Sequence, residues 1–77
     1  MESDSLVVGI KQSLRSVEAG KAEKAYVARD AESSVTDSFV ALCEQKNVPV
    51  NYVDTMQELG KMCSISVGAS VAVKESI

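Results

Sequence analysis

The apolar positions of the chain change period several times, and each change marks an element. Leu6-Val7-Val8 is a short apolar run that stops at Gly9, as a brief strand followed by a turn would. From Ile10 the period is helical: Ile10, Leu14 and Val17 recur at i, i+4 and i+7, one face of a helix. Gly20 is placed to end that helix through a left-handed cap. Ala25-Tyr26-Val27-Ala28 reads as a buried strand that runs out at Arg29-Asp30. A second helix is expected from Ser34-Val35-Thr36-Asp37, which has the form of an N-cap with an acid in the first turn. Val35, Phe39, Leu42 and Cys43 give it an apolar face, and Asn47 is the expected stop. Val48 to Val53 is strand-like, with Pro49 at the strand start, where no N–H is needed. Asp54 is the expected cap of a third, short helix, with Gln57 as its partner, Met56 and Leu59 inside, and Gly60 at its end. Val67 to Lys74, rich in Val and Ala, fits a final strand.

The resulting order is β-α-β-α-β-α-β with short connections. Such alternation implies crossovers between strands that run the same way. The expected architecture is α/β: a three-layer α/β/α sandwich on a small four-stranded mixed sheet, mostly parallel in its core.

A chain of 77 residues holds one domain, expected over residues 1–77. Apolar residues make up 45% and aromatics 4%, so the core has to be aliphatic. No apolar run reaches the roughly 20 residues of a membrane span. The acidic start, Met1-Glu2-Ser3-Asp4-Ser5, is unlike a signal or transit peptide, and a cytoplasmic location is the expectation. Cys43 and Cys63 lack the close spacing and histidine partners of a zinc site, and are expected to be ordinary thiols.

Several function classes lack their chemistry. The chain has no histidine, which removes the commonest general base and metal ligand. Neither a P-loop nor a dinucleotide glycine fingerprint follows a strand. Asp30 and Asp54 both follow strands and can in principle share a magnesium ion, but a turn and a helix cap account for them more simply. No catalytic residue and no cofactor are expected. The chain is read as a non-enzyme.

Two segments are not required by the fold. In the first, Gly9 to Arg15, the side chains of Lys11 and Arg15 stand at i and i+4 on one helix face and repel mildly. Gln12 lies beside them near the helix start, where backbone N–H groups and the dipole favour anions. A phosphate or base edge touching these side chains would explain them, since lysine and arginine suit guanine O6 and N7. A solvated helix face would explain them too. The second segment, Met62 to Ala69, places Ile65 and Val67 among small residues. They either start the last strand, buried, or form an apolar platform for an unstacked nucleotide.

Five stretches, in order, resemble the ribosomal L7Ae superfamily of kink-turn RNA-binding proteins, particularly its short stand-alone bacterial members. They are Val7 to Arg15; Ala19-Gly20-Lys21-Ala22; Val27 to Ala31; Val48-Pro49-Val50; and Glu58-Leu59-Gly60-Lys61 followed by Ile65 to Ala69. The resemblance covers roughly residues 6 to 75. Few residues precede Leu6 or follow the last strand, so the usual leading helix of the bacterial members is expected to be absent or reduced, and the C-terminal helix of longer members absent.

The resemblance implies recognition of kink-turns, helix–bulge–helix motifs with tandem sheared G·A pairs beside a sharp bend. The archaeal pattern opens its first helix with Gly-x-Asn-Glu-x-x-Lys and touches the G·A pairs there. Gly9 matches the glycine, Lys11 stands at the asparagine, Gln12 at the glutamate and Arg15 at the lysine. Arg29 falls where bacterial members carry a basic residue, implying a phosphate contact, with Lys61 as a further backbone contact. The loop of Ser64, Ile65, Ser66, Val67 and Gly68 matches the one that packs on the extruded nucleotide. The implied partner is structured RNA, a kink-turn of ribosomal RNA or of a riboswitch, with association to the ribosome and no DNA or membrane partner. A monomer is the simplest expectation.

A net charge of −3 opposes indiscriminate phosphate binding, so any RNA-binding face must be local. The competing reading is a protein-interaction module of the same fold that has lost RNA affinity. A small-ligand or phospho-acceptor domain is a third, without its motifs.

Overall fold

The computed structural model describes residues 5–63 and 67–75. Seven elements alternate: β1 Ser5–Val8, α1 Ile10–Glu18, β2 Ala22–Ala28, α2 Ser33–Gln45, β3 Val50–Val53, α3 Met56–Met62 and β4 Val71–Glu75. The strands form one mixed sheet in the order β1-β4-β2-β3.

The expectation of a mostly parallel core is corrected. Among the described residues only β2 and β3 pair in parallel; β4 lies between β1 and β2 and is antiparallel to both. Three strands thus point one way and the last points back. The reason lies after α3. The Ala69 N–H donates to the Met56 carbonyl (3.0 Å), and the Ala28 N–H donates to Ser70 (2.9 Å). The chain has therefore returned to the end of the sheet where β2 and β3 finish before β4 begins. From there it can only run backwards.

The two sheet faces carry different cores. Ala25 and Val27 of β2, with Val71 and Val73 of β4, meet Val17 of α1 and Phe39 and Cys43 of α2. On the other face Ala28 and Ala72 meet Leu59 of α3 and Ala69. Alternate residues of the same strands feed the two clusters, as a period of two requires. Helices α1 and α2 cover one face and α3 the other, which gives the three layers.

Local chemistry ends the first two helices as expected. Gly20 has φ +75°, its N–H donates to Val17 O (3.1 Å), and the Lys21 N–H donates to Ser16 O (3.0 Å). That is a Schellman cap. Asn47, with φ +60°, repeats it: its own N–H donates to Glu44 O and that of Val48 to Cys43 O.

Several starts and stops differ from expectation. Helix α2 begins earlier, with Glu32 at the N-cap position, and Thr36 is buried, its hydroxyl donating to the Glu32 carbonyl (3.4 Å). Helix α3 is capped by Thr55, whose hydroxyl oxygen accepts the Glu58 N–H (3.0 Å), not by Asp54. Gly60 does not stop α3 but lies buried within it, because a Cβ there would collide with the Val67 carbonyl. Strand β4 starts at Val71, and residues 67–70 are a connection.

Both cysteines are free thiols; Cys43 is buried in the core, and burial pushes its pKa up to about 11. Among the described residues no helix is long and apolar enough to cross a membrane.

Candidate RNA-binding surface

The start of α1 is set by Gly9. Its φ of +100° and ψ of 152° are open essentially to glycine alone, and they turn the chain from β1 into the helix. The Gly9 N–H donates to Val71 O (3.2 Å), which ties the helix start to the first residue of β4. Gly9 offers no side-chain cap, and the first turn of α1 holds no acidic residue. The positive end of the helix is thus not neutralised by its own first turn.

On this helix Lys11, Gln12 and Arg15 are exposed and line a shared groove with Leu14 and Glu18. The opposite side of the helix is buried. Val17 is core, and Ile10 and Leu14 pack against it. Sequence periodicity missed Ser13 and Ser16, both buried and both hydrogen-bonded. Ser13 Oγ makes a long bond to Val7 O (3.4 Å), and Ser16 Oγ donates to Glu75 Oε2 (2.8 Å). These small residues let α1 sit close to the sheet and fix which way the outer face points. Arg15 lies in the last turn, where the helix dipole favours a cation. Only Lys11 stands at the unfavourable end.

The second segment reaches the same end of the sheet. Val67 is 68% exposed, a high value for valine, so the reading of it as a buried strand start is set aside. Its backbone is nonetheless fixed from behind: Gly60 packs on its carbonyl, and the neighbouring Gly68 packs on Met56. Ser64, Ile65 and Ser66 lie outside the described residues.

Arg29 follows β2 at this end. Its N–H donates to Val53 O (2.8 Å), its guanidinium lies 5.7 Å from the Tyr52 ring centroid, and its Nε is 4.0 Å from Asp54 Oδ1. Asp30 does something the sequence did not signal. Its Oδ1 accepts the Met56 N–H at 2.8 Å, capping α3 from a distant loop. Asp30 and Asp54 thus have different partners, the Met56 N–H and the Arg29 guanidinium. Lys61 is exposed in the last turn of α3, in the layer opposite α1, and so stands apart from the Lys11–Arg15 face.

The ends of β1, β2 and β3, the start of α1 and the connection into β4 therefore converge, and a three-layer sandwich with its candidate site at this end defines a fold class with known members. The chain matches the Ribosomal protein L7Ae/L30e/S12e/Gadd45 family over residues 1–76, and belongs to it. It is 47% identical over 66 residues to an RNA-binding protein of Caldanaerobacter subterraneus subsp. tengcongensis, covering 86% of this chain and 80% of that one. An RNA-binding protein of a Geobacillus species is 43% identical over 70 residues, 91% of this chain and 85% of its own length. Among solved structures, the 15.5kD RNA binding protein of Giardia lamblia superimposes with a TM-score of 0.88 at 30% identity. That match takes in 95% of this chain and 62% of the Giardia protein.

Proposed function

We propose that this protein is an RNA-binding protein that recognises kink-turns with tandem sheared G·A pairs, acting as a single monomeric domain. Lys11, Gln12 and Arg15 enter the groove at the G·A pairs, and Gly9 sets the angle of their helix. Arg29 and Lys61 flank the RNA, while Val67, Gly68 and the preceding Ser64, Ile65 and Ser66 cover an extruded nucleotide. The natural targets are kink-turns of ribosomal RNA or of riboswitches, the former through association with the ribosome.

The observation that carries this reading is the pairing at one sheet end of an exposed cationic helix start and an exposed, backbone-anchored Val67. The first suits base edges and phosphates. The second suits the apolar face of a splayed-out base. Relatives named as RNA-binding proteins support it. Binding would favour the kinked conformer by its higher affinity for that state.

The test is a titration into fluorescently labelled kink-turn RNA, beside a control whose G·A pairs are replaced by Watson–Crick pairs. Tight binding to the first and weak binding to the second is expected. The preference should persist while overall affinity falls steeply with salt. Equal or absent binding to both would favour an interaction module that keeps the fold without the RNA.

A further inference from the structure

The same sheet end carries a second flat surface outside the α1 groove and the Val67 segment. Tyr52 lies on β3, an edge strand, paired in register with Val27 and therefore on the α2 side of the sheet. It is 53% exposed, so the core does not account for a large aromatic there. The Arg29 guanidinium lies over its ring at 5.7 Å, within cation–π range. We infer that Tyr52 and Arg29 together form a stacking platform for an unpaired nucleobase, an inference that rests on the RNA-binding reading above.

Charge argues for a base here rather than a phosphate. Asp54 Oδ1 lies 4.0 Å from Arg29 Nε, and Asp30 is the next residue along the chain. Both carboxylates oppose a phosphate at Arg29, whereas a neutral base face meets no such repulsion. A guanidinium plane and a phenol ring each present a surface on which bases stack. Beside Tyr52 the depression between β2, β3 and the start of α2 is lined by Ala31, Ser33 and Thr36, which leaves room for a base edge.

The platform and Val67 lie at the same end of the sheet, the platform on its α2 side and Val67 beside α3. Asp30 accepts the Met56 N–H, and the Met56 carbonyl accepts the Ala69 N–H, so a single residue joins the Arg29 turn to that segment.

The experiment measures affinity for a kink-turn RNA and for versions in which each unpaired bulge nucleotide is replaced in turn by an abasic residue. Wild type, Tyr52→Ala and Tyr52→Phe are compared, with thermal melting to check that each is folded. Tyr52→Ala should weaken binding to the intact RNA roughly 5- to 150-fold, the range for loss of one base–aromatic stack. Tyr52→Phe should stay within about twofold of wild type, because the stacking ring is kept. The Tyr52→Ala penalty should vanish on one abasic RNA. Wild-type affinity in Tyr52→Ala, or an equal penalty on every abasic RNA, would overturn the platform while leaving kink-turn binding intact. Failure of the wild type to bind the intact RNA would instead remove the kink-turn reading, and the platform with it.

Discussion

The two faces of the sheet solve different problems with the same four strands. Toward α1 and α2 the contacts are made by large side chains: Phe39, Val17, Val27, Val71 and Val73 are buried, with Cys43 among them. Toward α3 one large side chain, Leu59, meets small residues, Ala28, Ala69 and Ala72, with Gly60 inside the helix. Bulky packing yields stability by removing apolar surface from water. Small residues yield close backbone approach, which fixes the path of residues 67–70 and hence the position of Val67. The α1–α2 face thus holds the fold, and the α3 face shapes the end of the sheet proposed to meet RNA.

Substitutions should separate these roles. Phe39→Ala empties the larger core and is expected to lower stability by about 3–5 kcal/mol in denaturant unfolding. Affinity for RNA, measured where the variant is still folded, should be unchanged. The same core sets an alkaline limit. Burial raises the Cys43 thiol to about 11, so as pH climbs above its ordinary value of 9.0 the unfolded chain ionises first. Stability should be fully present below that ordinary value and fall as pH rises toward the raised one, a slope that Cys43→Val should reduce, leaving the smaller part due to the half-buried Cys63 thiol.

Gly60→Ala tests the other face. Its methyl group meets the Val67 carbonyl, so the expected loss is roughly 1–3 kcal/mol of stability, now accompanied by weaker RNA binding. Gly9→Ala is a useful companion, because no atom lies within 4 Å of the added Cβ. Whatever it loses comes from backbone strain at φ +100°, roughly 1–3 kcal/mol, and from a re-aimed α1. On the surface, Lys11→Ala and Arg15→Ala should each lower RNA affinity by about 1–3 kcal/mol while leaving the melting temperature alone. The smallest effect is expected from Thr55→Ala, about 1 kcal/mol of stability through loss of the α3 cap. An equal drop in affinity from Phe39→Ala and Gly60→Ala would erase the distinction between the faces.

What the sequence revealed and what it hid follow a physical line. Features set by a few neighbouring residues were legible: the Gly20 and Asn47 caps, the buried stripe through Leu14 and Val17, and the four strands. The exposed triad Lys11, Gln12 and Arg15 followed from the same stripe, since the residues opposite it must face water. Strand direction was not legible. Alternation with period two is the same read either way, and β4 is reversed by contacts of Ala69 and Ser70 with residues distant in sequence. The α3 cap was legible but misassigned. Thr55 and Glu58 have the spacing of a capping box, whereas Asp54 carries the more familiar cap residue type. Asp30 was beyond local reasoning, because its role depends on bringing Met56 across from the far side of β3. Tyr52 was hidden for a similar reason: on an alternating strand, only the sheet order reveals that its neighbour on one side is solvent.

The most direct test of the account is an amide-by-amide map of the protein during titration with kink-turn RNA, by heteronuclear NMR. The predicted shifts cluster at Gly9 to Arg15, at Arg29 and at Val67 to Ser70, with the far end of the sheet around Lys21, Ala22 and Val48 left unmoved. Shifts concentrated at that far end, with the start of α1 silent, would contradict it.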